Sequence, residues 1–554
     1  MRYPWLLNIF LDIVLNKLKK QLSVKKTTSL LCTFFLVLTL YGQHQTIVQG
    51  VVRDSLDYRP IGNAVVSLLG EKKGMLTNQA GEFSFYFSNE NIDRDTLIVY
   101  SSGHKLKKIA LKTTQKYYTV LVQPTSQEHN RRSWNKSTNK TVRMMSKVID
   151  SVATIVVDDW LPMGNPEHNY FDFGRLQTIP SYNSIEGFRI RLGVASTARL
   201  HPHLFIKGYA AYGFRDNKMK CRAQLTYSFN DKKYHGEEYP KHNLNFIFEN
   251  DIYAFGERHS RGENDALLKA YRLSKHAILY RRFTEINFEQ ETSFGLGYHL
   301  WTRVSKIFPA DGLSFETQYI DGKHVHESGL KTSEIGLQLR YALDEHFENK
   351  RRSCVCTTPE NTVLFLSHRV GMNGLLGGEI TYHITETSLQ KRFLLGRYGR
   401  IDGVAEYRKI WSRVPFPLLA YPNHRNQYII ENNAFYLTRA LEFPADELLS
   451  LRFTWVGEGM MFRNVPFMRR LECGELVSVR AVKGTLSKKN IPTAQNGLFL
   501  LPETSMRMQE TPYMEVAVGL THILGFLRLE YVHRLTYRNN PDAILGGFRV
   551  DIAM

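Results

Sequence analysis

Three short stretches carry the residue types that metal chemistry uses. His235/Glu238, His324/Glu327 and His383/Glu386 are each His-x-x-Glu, the spacing at which a zinc hydrolase takes two ligands close in the chain and a third from elsewhere. With 19 histidines in 554 residues, about one such match arises by chance. The first two fall in loop-like sequence and the third at a strand end, so none reads as a metal site. Cys354-Val-Cys356 lies in the polar stretch DEHFENKRRSCVCTTPEN with too few further ligands nearby, and reads as two solvent-side thiols. With Cys32 set aside in the N-terminal apolar run, Cys221 and Cys473 complete a set of four too sparse for a disulfide framework. A hydrolase would need a nucleophile, a base and an orienting acid converging on one point, and no Ser/His/Asp arrangement stands above chance. The expectation is a non-enzyme without metal or cofactor.

A different set of residues recurs with order. Arg189, Arg191, Arg222, Arg340, Arg528, Arg534 and Arg549 each alternate with apolar neighbours. In KMKCRAQLTYSF, Met219, Cys221, Ala223, Leu225, Tyr227 and Phe229 share one face, against Lys220, Arg222, Gln224, Thr226 and Ser228. GFRIRLGVA, EIGLQLRYAL and FLRLEYVHRLTY repeat the pattern, which is the period of a strand with two unlike faces. A soluble sandwich with one wet face alternates in the same way. Strand length favours a membrane barrel, because many segments run about 9–12 residues where soluble strands average about 5–6. A chain crosses lipid only as helices or as a closed barrel. Aromatic residues near strand ends, Tyr227/Phe229 and Tyr537, fit interfacial girdles. Turns between residues 170 and 554 predict roughly 14–18 strands. The arginines are then candidate lumen-facing residues, and their bland alternative is pairing with acids such as Glu530 and Asp551.

The other segments fit an exported chain. Lys25 and Lys26 precede the apolar run LLCTFFLVLTL, too short to span a bilayer, so residues 1–42 read as a signal segment. They hold six Lys/Arg and one acid, and without them the formal charge of +19 becomes +14, a balance suited to anionic surroundings such as phosphate-rich headgroups. Export and the lack of a nucleic-acid motif argue against nucleic acid. Residues 46–123 form short alternating strands with Gly, Asp, Asn and Pro turns, a small β-sandwich pattern. Residues 124–169 read as a polar linker and one amphipathic helix at about 141–157. That leaves no room for a plug-sized domain ahead of the barrel at 170–554.

Two resemblances add to this reading. Gly50-Val51-Val52 with Asp54, Pro60-Ile61, Ala64-Val65-Val66, Gly74, Thr77-Asn78 and Gly81-Glu82-Phe83 resemble the carboxypeptidase regulatory-like domain, a transthyretin-like fold. That resemblance implies a non-catalytic module, often N-terminal to outer-membrane barrels of Gram-negative bacteria. YNSIEGFRIRLG, GYAAYGFRD and the stretch 442–487 are similar to a family of outer-membrane barrels of unknown function joined to such a module. The fold expected is mainly β, a small N-terminal β-sandwich followed by a large antiparallel transmembrane β-barrel.

Three function classes follow. The barrel is a pore or transport component; or an outer-membrane assembly or surface-export component without solute conduction, its sandwich recruiting a periplasmic protein partner; or a barrel enzyme, for which no constellation is found. A secreted soluble β-rich binding protein is the fallback. Outer-membrane lipid or lipopolysaccharide is the expected surrounding, with the N-terminal domain periplasmic.

Overall fold

The computed structural model describes residues 46–123 and 160–552. Within the first stretch 56–59, 63, 69–73, 79–80, 88–95, 102–103 and 112–116 are excepted, and within the second 166–167, 256–277, 311, 344, 346, 350, 353, 357, 359–360, 396–397, 425–433, 458–472 and 524–526. The signal segment and the helix expected at 141–157 lie outside the described residues. The chain divides into two units, Met1–Met144 and Met145–Met554.

The first unit is a two-sheet sandwich. β1 (Thr46–Asp54), β4 (Glu82–Phe87) and β7 (Tyr117–Val122) form one sheet in the order β4-β1-β7; β2 (Val65–Leu68), β3 (Gly74–Leu76), β5 (Thr96–Tyr100) and β6 (Lys107–Ala110) form the other in the order β3-β2-β5-β6. Period-2 apolar residues from both sheets meet in one core, including Val48, Val52, Val66, Phe83, Leu97, Val99, Tyr118 and Val120. The turn before β4 is built by its own side chains: Ala64 N donates to Thr77 Oγ1 at 2.9 Å, and Glu82 N to Asn78 Oδ1 at 2.9 Å. Gly81 sits in this turn at φ +73°, where a Cβ would lie 2.4 Å from the Val52 carbonyl oxygen. Both the backbone conformation and the space therefore require glycine. Gly81→Val is expected to destabilise the sandwich by about 2 kcal/mol or more while barrel strands keep their protection, which hydrogen exchange on the intact chain reads unit by unit.

The second unit is built on one 18-stranded sheet. Its first strands are β8 (Trp160–Pro162), β9 (Phe171–Gly174), β10 (Pro180–Asn183), β11 (Gly187–Ser196), β12 (Leu204–Gly213), β13 (Lys218–Ser228), β14 (His242–Ala254), β15 (Ile278–Glu291) and β16 (Leu296–Pro309). A side hairpin, β17 (Phe315–Gln318) and β18 (His324–Glu327), precedes β19 (Leu330–Ala342). A second, β20 (Phe347–Asn349) and β21 (Cys354–Cys356), precedes β22 (Val363–Gly371). The remainder are β23 (Tyr382–Leu394), β24 (Arg400–Ile410), β25 (Glu447–Val456), β26 (Gly474–Thr485), β27 (Tyr513–Ile523), β28 (Leu527–Arg534) and β29 (Gly546–Ile552).

Successive strands pair antiparallel from β10 to β29 with the two side hairpins left out; β29 bonds to β8, β8 to β9, and β9 back to β11. The sheet is therefore closed, a β-barrel. β9 and β10 lie end to end along β11, at Val194↔Phe173 and Ile190↔Pro180. The sheet begins at Trp160, ahead of the boundary at 170 expected from sequence.

Strands such as β11 and β13 obey their alternation, with the sense of a soluble protein reversed. Along β11 the buried residues are Arg189 and Arg191, and the exposed ones are Phe188, Ile190, Leu192 and Val194. Arg452, Arg480, Arg534 and Lys220 are among the largest fully buried side chains, whereas Leu225, Phe246, Ile335, Leu366 and Val479 face outward. Aromatic rings gather at both ends of the outer face. Tyr227 and Phe229 lie 5.2 Å apart, with His242 4.6 Å from Phe229, at one end, and Phe188, Phe214 and Tyr212 are in contact at the other. Tyr537 differs from expectation: β28 stops at Arg534, and Tyr537 turns inward to pack 5.0 Å from Phe443.

Candidate functional site in the barrel interior

Two rims bound the interior. The chain enters the sheet at the lower rim through β9, and β29 ends there; the upper rim carries the connections 310–329, 411–446 and 486–512. Strand parity sets all seven candidate arginines on the inner face. The Arg189 Nη atoms donate to both oxygens of Asp251 at 2.8 and 2.6 Å, and Tyr209 Oη donates to the same carboxylate at 2.6 Å. The Arg191 guanidinium stacks 3.5 Å over the Tyr209 ring. Arg222 Nη1 reaches Glu249 at 2.6 Å, and Arg281 takes that carboxylate's other oxygen at 3.0 Å. Arg340 pairs with Glu345 at 2.5 Å, Arg528 Nε with Glu530 at 2.5 Å, and Arg534 with Glu442 at 2.7 Å. Arg549 Nη2 donates to the Tyr436 carbonyl at 2.9 Å. The interior is thus a network of acid–base pairs, which a desolvated charge requires. The side chain of Asp551, expected as a further partner, lies outside the described residues.

Glu442 and Tyr436 belong to no strand. They lie in the connection 411–446, described at 411–424 and 434–446, which leaves β24 at the upper rim and returns into the sheet's interior. Its backbone is held by wall side chains. Tyr436 N and Leu437 N donate to the two oxygens of Glu515 at 2.9 and 2.6 Å, and Arg534 Nη1 donates to the Leu437 carbonyl at 3.2 Å. Arg480 places its guanidinium 4.3 Å from the Tyr436 ring centroid. Phe416, Leu419, Tyr421, Phe435, Leu441 and Phe443 of the same connection join Phe315, Phe499 and Tyr513 in one buried cluster at this rim, with Phe315 and Phe499 stacked at 4.9 Å. Val414 N is fixed to Asn490 Oδ1 at 2.8 Å. An internal connection enters the barrel here, and sequence reasoning missed it. The signal was present in WSRVPFPLLAYPN and AFYLTRALEFPADE, apolar stretches with prolines and no alternation between two alternating strands.

The lower rim is crossed from its far side. The connection 343–362 joins β19 to β22, halfway round the hydrogen-bonding order from β9. It delivers Arg351 and Arg352 to the fully buried Asp172 of β9: Arg351 Nη1 donates to Asp172 Oδ1 at 3.0 Å, and Arg352 Nε bonds to Oδ2. Arg351 also donates to the Trp160 carbonyl at 3.3 Å, and Arg352 to those of Ser196 and Ala195 at 3.3 and 3.4 Å. These bonds tie β8, β9 and β11 together where the ladder is shortest, since β8 has three residues and one of them, Pro162, has no N–H. Asn349 Oδ1 accepts Tyr239 N at 2.9 Å, and the Phe347 ring stacks 4.4 Å from Tyr239.

The His-x-x-Glu pairs do not converge. Glu238 is a turn acceptor, taking Lys233 N at 3.0 Å and His235 N at 2.8 Å. His324 and Glu327 lie on the exposed β18. His383 faces outward while Glu386 faces inward to Arg408 at 2.5 Å. Among the described residues no group of three or more His, Cys, Asp or Glu is placed to hold a metal. Cys354 and Cys356 are half-buried in β21, and burial pushes both thiols up from their ordinary range, which disfavours the reactive thiolate.

The fold and interior together define a closed antiparallel β-barrel filled by its own connections. No family model matches the chain, and no curated protein matches it. Among solved structures it is similar to BamA from Haemophilus ducreyi lacking POTRA domains 1–3, at 10% identity and a TM-score of 0.39, covering 81% of this chain and 75% of that one. It is also similar to CdiB from Acinetobacter baumannii, at 11% identity and a TM-score of 0.31 over 66% of this chain and 56% of that one. A third likeness is Pseudomonas aeruginosa OccK11 (OpdR), at 8% identity and a TM-score of 0.25 over 66% and 87%. Such scores carry no functional weight, and the barrel rests on its own closed hydrogen-bonding order.

One titratable group in the upper connection is poised. His424 is buried, neither ring nitrogen makes a hydrogen bond, and burial lowers its pKa to about 4. A histidine whose folded pKa lies below its unfolded value near 6.5 takes up its proton more readily when unfolded, so its contribution is present above about pH 6.5 and is lost as pH falls toward 4. The shift corresponds to about 3 kcal/mol. Amides of residues 434–446 are expected to exchange faster, relative to the intrinsic rate, at pH 4.5 than at pH 7, and His424→Phe to flatten that dependence.

Proposed function

We propose that this chain is an outer-membrane β-barrel protein with a periplasmic β-sandwich, closed at rest and working as an assembly or surface-export component without steady solute conduction. The reversed burial supports membrane placement: charged residues inside a closed sheet and Leu, Ile, Val and Phe outside it suit a hydrocarbon surrounding and not water. Among the described residues no helix is long and apolar enough to cross a membrane, which leaves strands as the spanning elements of this reading. The observation that carries the closed state is the Tyr436–Leu437 backbone clamped inside the ring by Glu515, Arg534 and Arg549. The arginines that would give an open pore its anion preference are engaged with acids, rings and carbonyls. Outer-membrane lipid or lipopolysaccharide would cover the apolar face, and the sandwich would meet a periplasmic protein partner.

Membrane fractionation should place the protein in the outer membrane, with migration on electrophoresis that changes on boiling. Planar bilayers holding the folded protein should show no steady conductance. The closing strand gives a sharper check. Val550 is 48% exposed on the outer face while Arg549 is buried inside. Val550→Arg is expected to cost about 2–4 kcal/mol near the midplane and to reduce membrane assembly sharply, while Arg549→Gln leaves assembly nearly intact. Recovery in the soluble fraction, or equal tolerance of both substitutions, would return the chain to a soluble binding protein.

A further inference from the structure

Resting on the closed-barrel reading, we infer that the segment 434–446 is a loaded gate, held shut against stored free energy by two carboxylates. The load is visible at Arg480. Its side chain is fully buried, and none of its three guanidinium nitrogens makes a hydrogen bond. Register places it directly between Arg452 on β25 and Glu515 on β27. Arg452 is a like charge and is spent on Glu406 at 2.6 Å. Glu515 is the natural partner, yet its two oxygens are occupied by the amides of Tyr436 and Leu437 and by the Tyr513 hydroxyl at 2.6 Å. The Tyr436 ring offers Arg480 a cation–π contact, which is weaker than an ion pair with hydrogen bonds. The closed gate has therefore taken Glu515 from Arg480.

A second load lies in the gate's own backbone. Leu441 and Phe443 have φ of +62° and +66°, a region that costs side-chain-bearing residues free energy, and both are fully buried. They flank Glu442, whose carboxylate accepts from Arg534 at 2.7 Å, Asn540 Nδ2 at 3.0 Å and Arg439 N at 2.9 Å. These bonds fix the segment in the strained form. Withdrawal of the gate frees Glu515 to pair with Arg480 across the register and lets Leu441 and Phe443 relax. Two arrangements of the same wall then compete, which is what a switchable element requires.

Replacing a residue that lines a plug usually loosens it, and the loaded gate predicts the opposite at Arg480. Hydrogen exchange of residues 434–446 in the detergent-folded protein reads the gate whatever the protein's cellular location, with boiled and unboiled migration confirming that each variant is folded. In Arg480→Met exchange should slow about tenfold, because an apolar chain removes the uncompensated buried charge. Arg480→Gln should shift it in the same direction. In Glu515→Gln exchange should quicken about tenfold, as the charged acceptor of two amides is lost. Faster exchange in folded Arg480→Met and Arg480→Gln would mean that Arg480 holds the gate through Tyr436, and unchanged exchange in Glu515→Gln would mean that no partner is exchanged; either overturns the loaded gate. Failure of outer-membrane fractionation would overturn the placement instead and leave this measurement intact.

Discussion

The rest of the barrel depends on one constraint, that its interior charges must be satisfied within the ring. A closed sheet has no edge from which to borrow partners, and its outer face is largely apolar. Each inward arginine therefore needs an acid, a ring or a carbonyl supplied by the wall or by a connection folded inside. Arg189 with Asp251 and Arg222 with Glu249 are solved within the wall. Arg534 and Arg549 draw on the 411–446 connection as well as the wall, through Glu442 and the carbonyls of Leu437 and Tyr436. Removing that connection would take Glu442 and two carbonyls from the arginines of β28 and β29. Filling the interior and stabilising the wall are thus one act.

The same constraint explains why the two rims are treated differently. At the upper rim the connections are long and apolar enough to build their own cluster around Phe416, Phe435, Phe443 and Phe499, so burial supplies the holding free energy. At the lower rim the 343–362 connection holds by charge instead, through Arg351 and Arg352 on Asp172. A carboxylate buried completely in β9 would be costly unpaired, and two guanidiniums make it the anchor of the shortest part of the ladder. An apolar cluster adapts to a shifted neighbour, whereas a charge-assisted clasp is closed or open.

Much of the architecture was legible in sequence because a strand's period is strict. Phe188, Ile190, Leu192 and Val194 against Arg189 and Arg191 reveal two faces without any coordinates, and the same count on β13 and β19 extends them round the sheet. The turn at Thr77-Asn78 and Gly81 was legible for a similar reason, since its chemistry is local. The interior connection was not. Residues 411–446 have no period, and what folds them inward is contact with Glu515 and Arg534, far along the chain. Tyr537 shows the same failure in miniature: alternation carried it onto the outer face, but β28 ends at Arg534 and tertiary packing against Phe443 decides its place. The His383/Glu386 pair shows a third point about reading motifs. In a strand, positions three apart point to opposite faces, as His383 and Glu386 do, so a helical ligand spacing has no meaning there.

Arg480 marks the point where these lines meet. Its neighbours across the sheet, Arg452 and Glu515, are set by register and cannot be changed without slipping whole strands. The only freedom lies in which group Glu515 accepts from, and the connection has used it. A barrel that needed a permanent plug could place Met or Leu at this position and gain stability, as apolar replacements of buried ionic groups often do. Keeping a guanidinium there, beside a carboxylate already committed to two backbone amides, makes sense for a wall that must also be stable with the connection withdrawn. In that state Glu515 lies between Arg480 and Arg534 across the register, free to pair with the guanidinium that the closed connection leaves facing a ring.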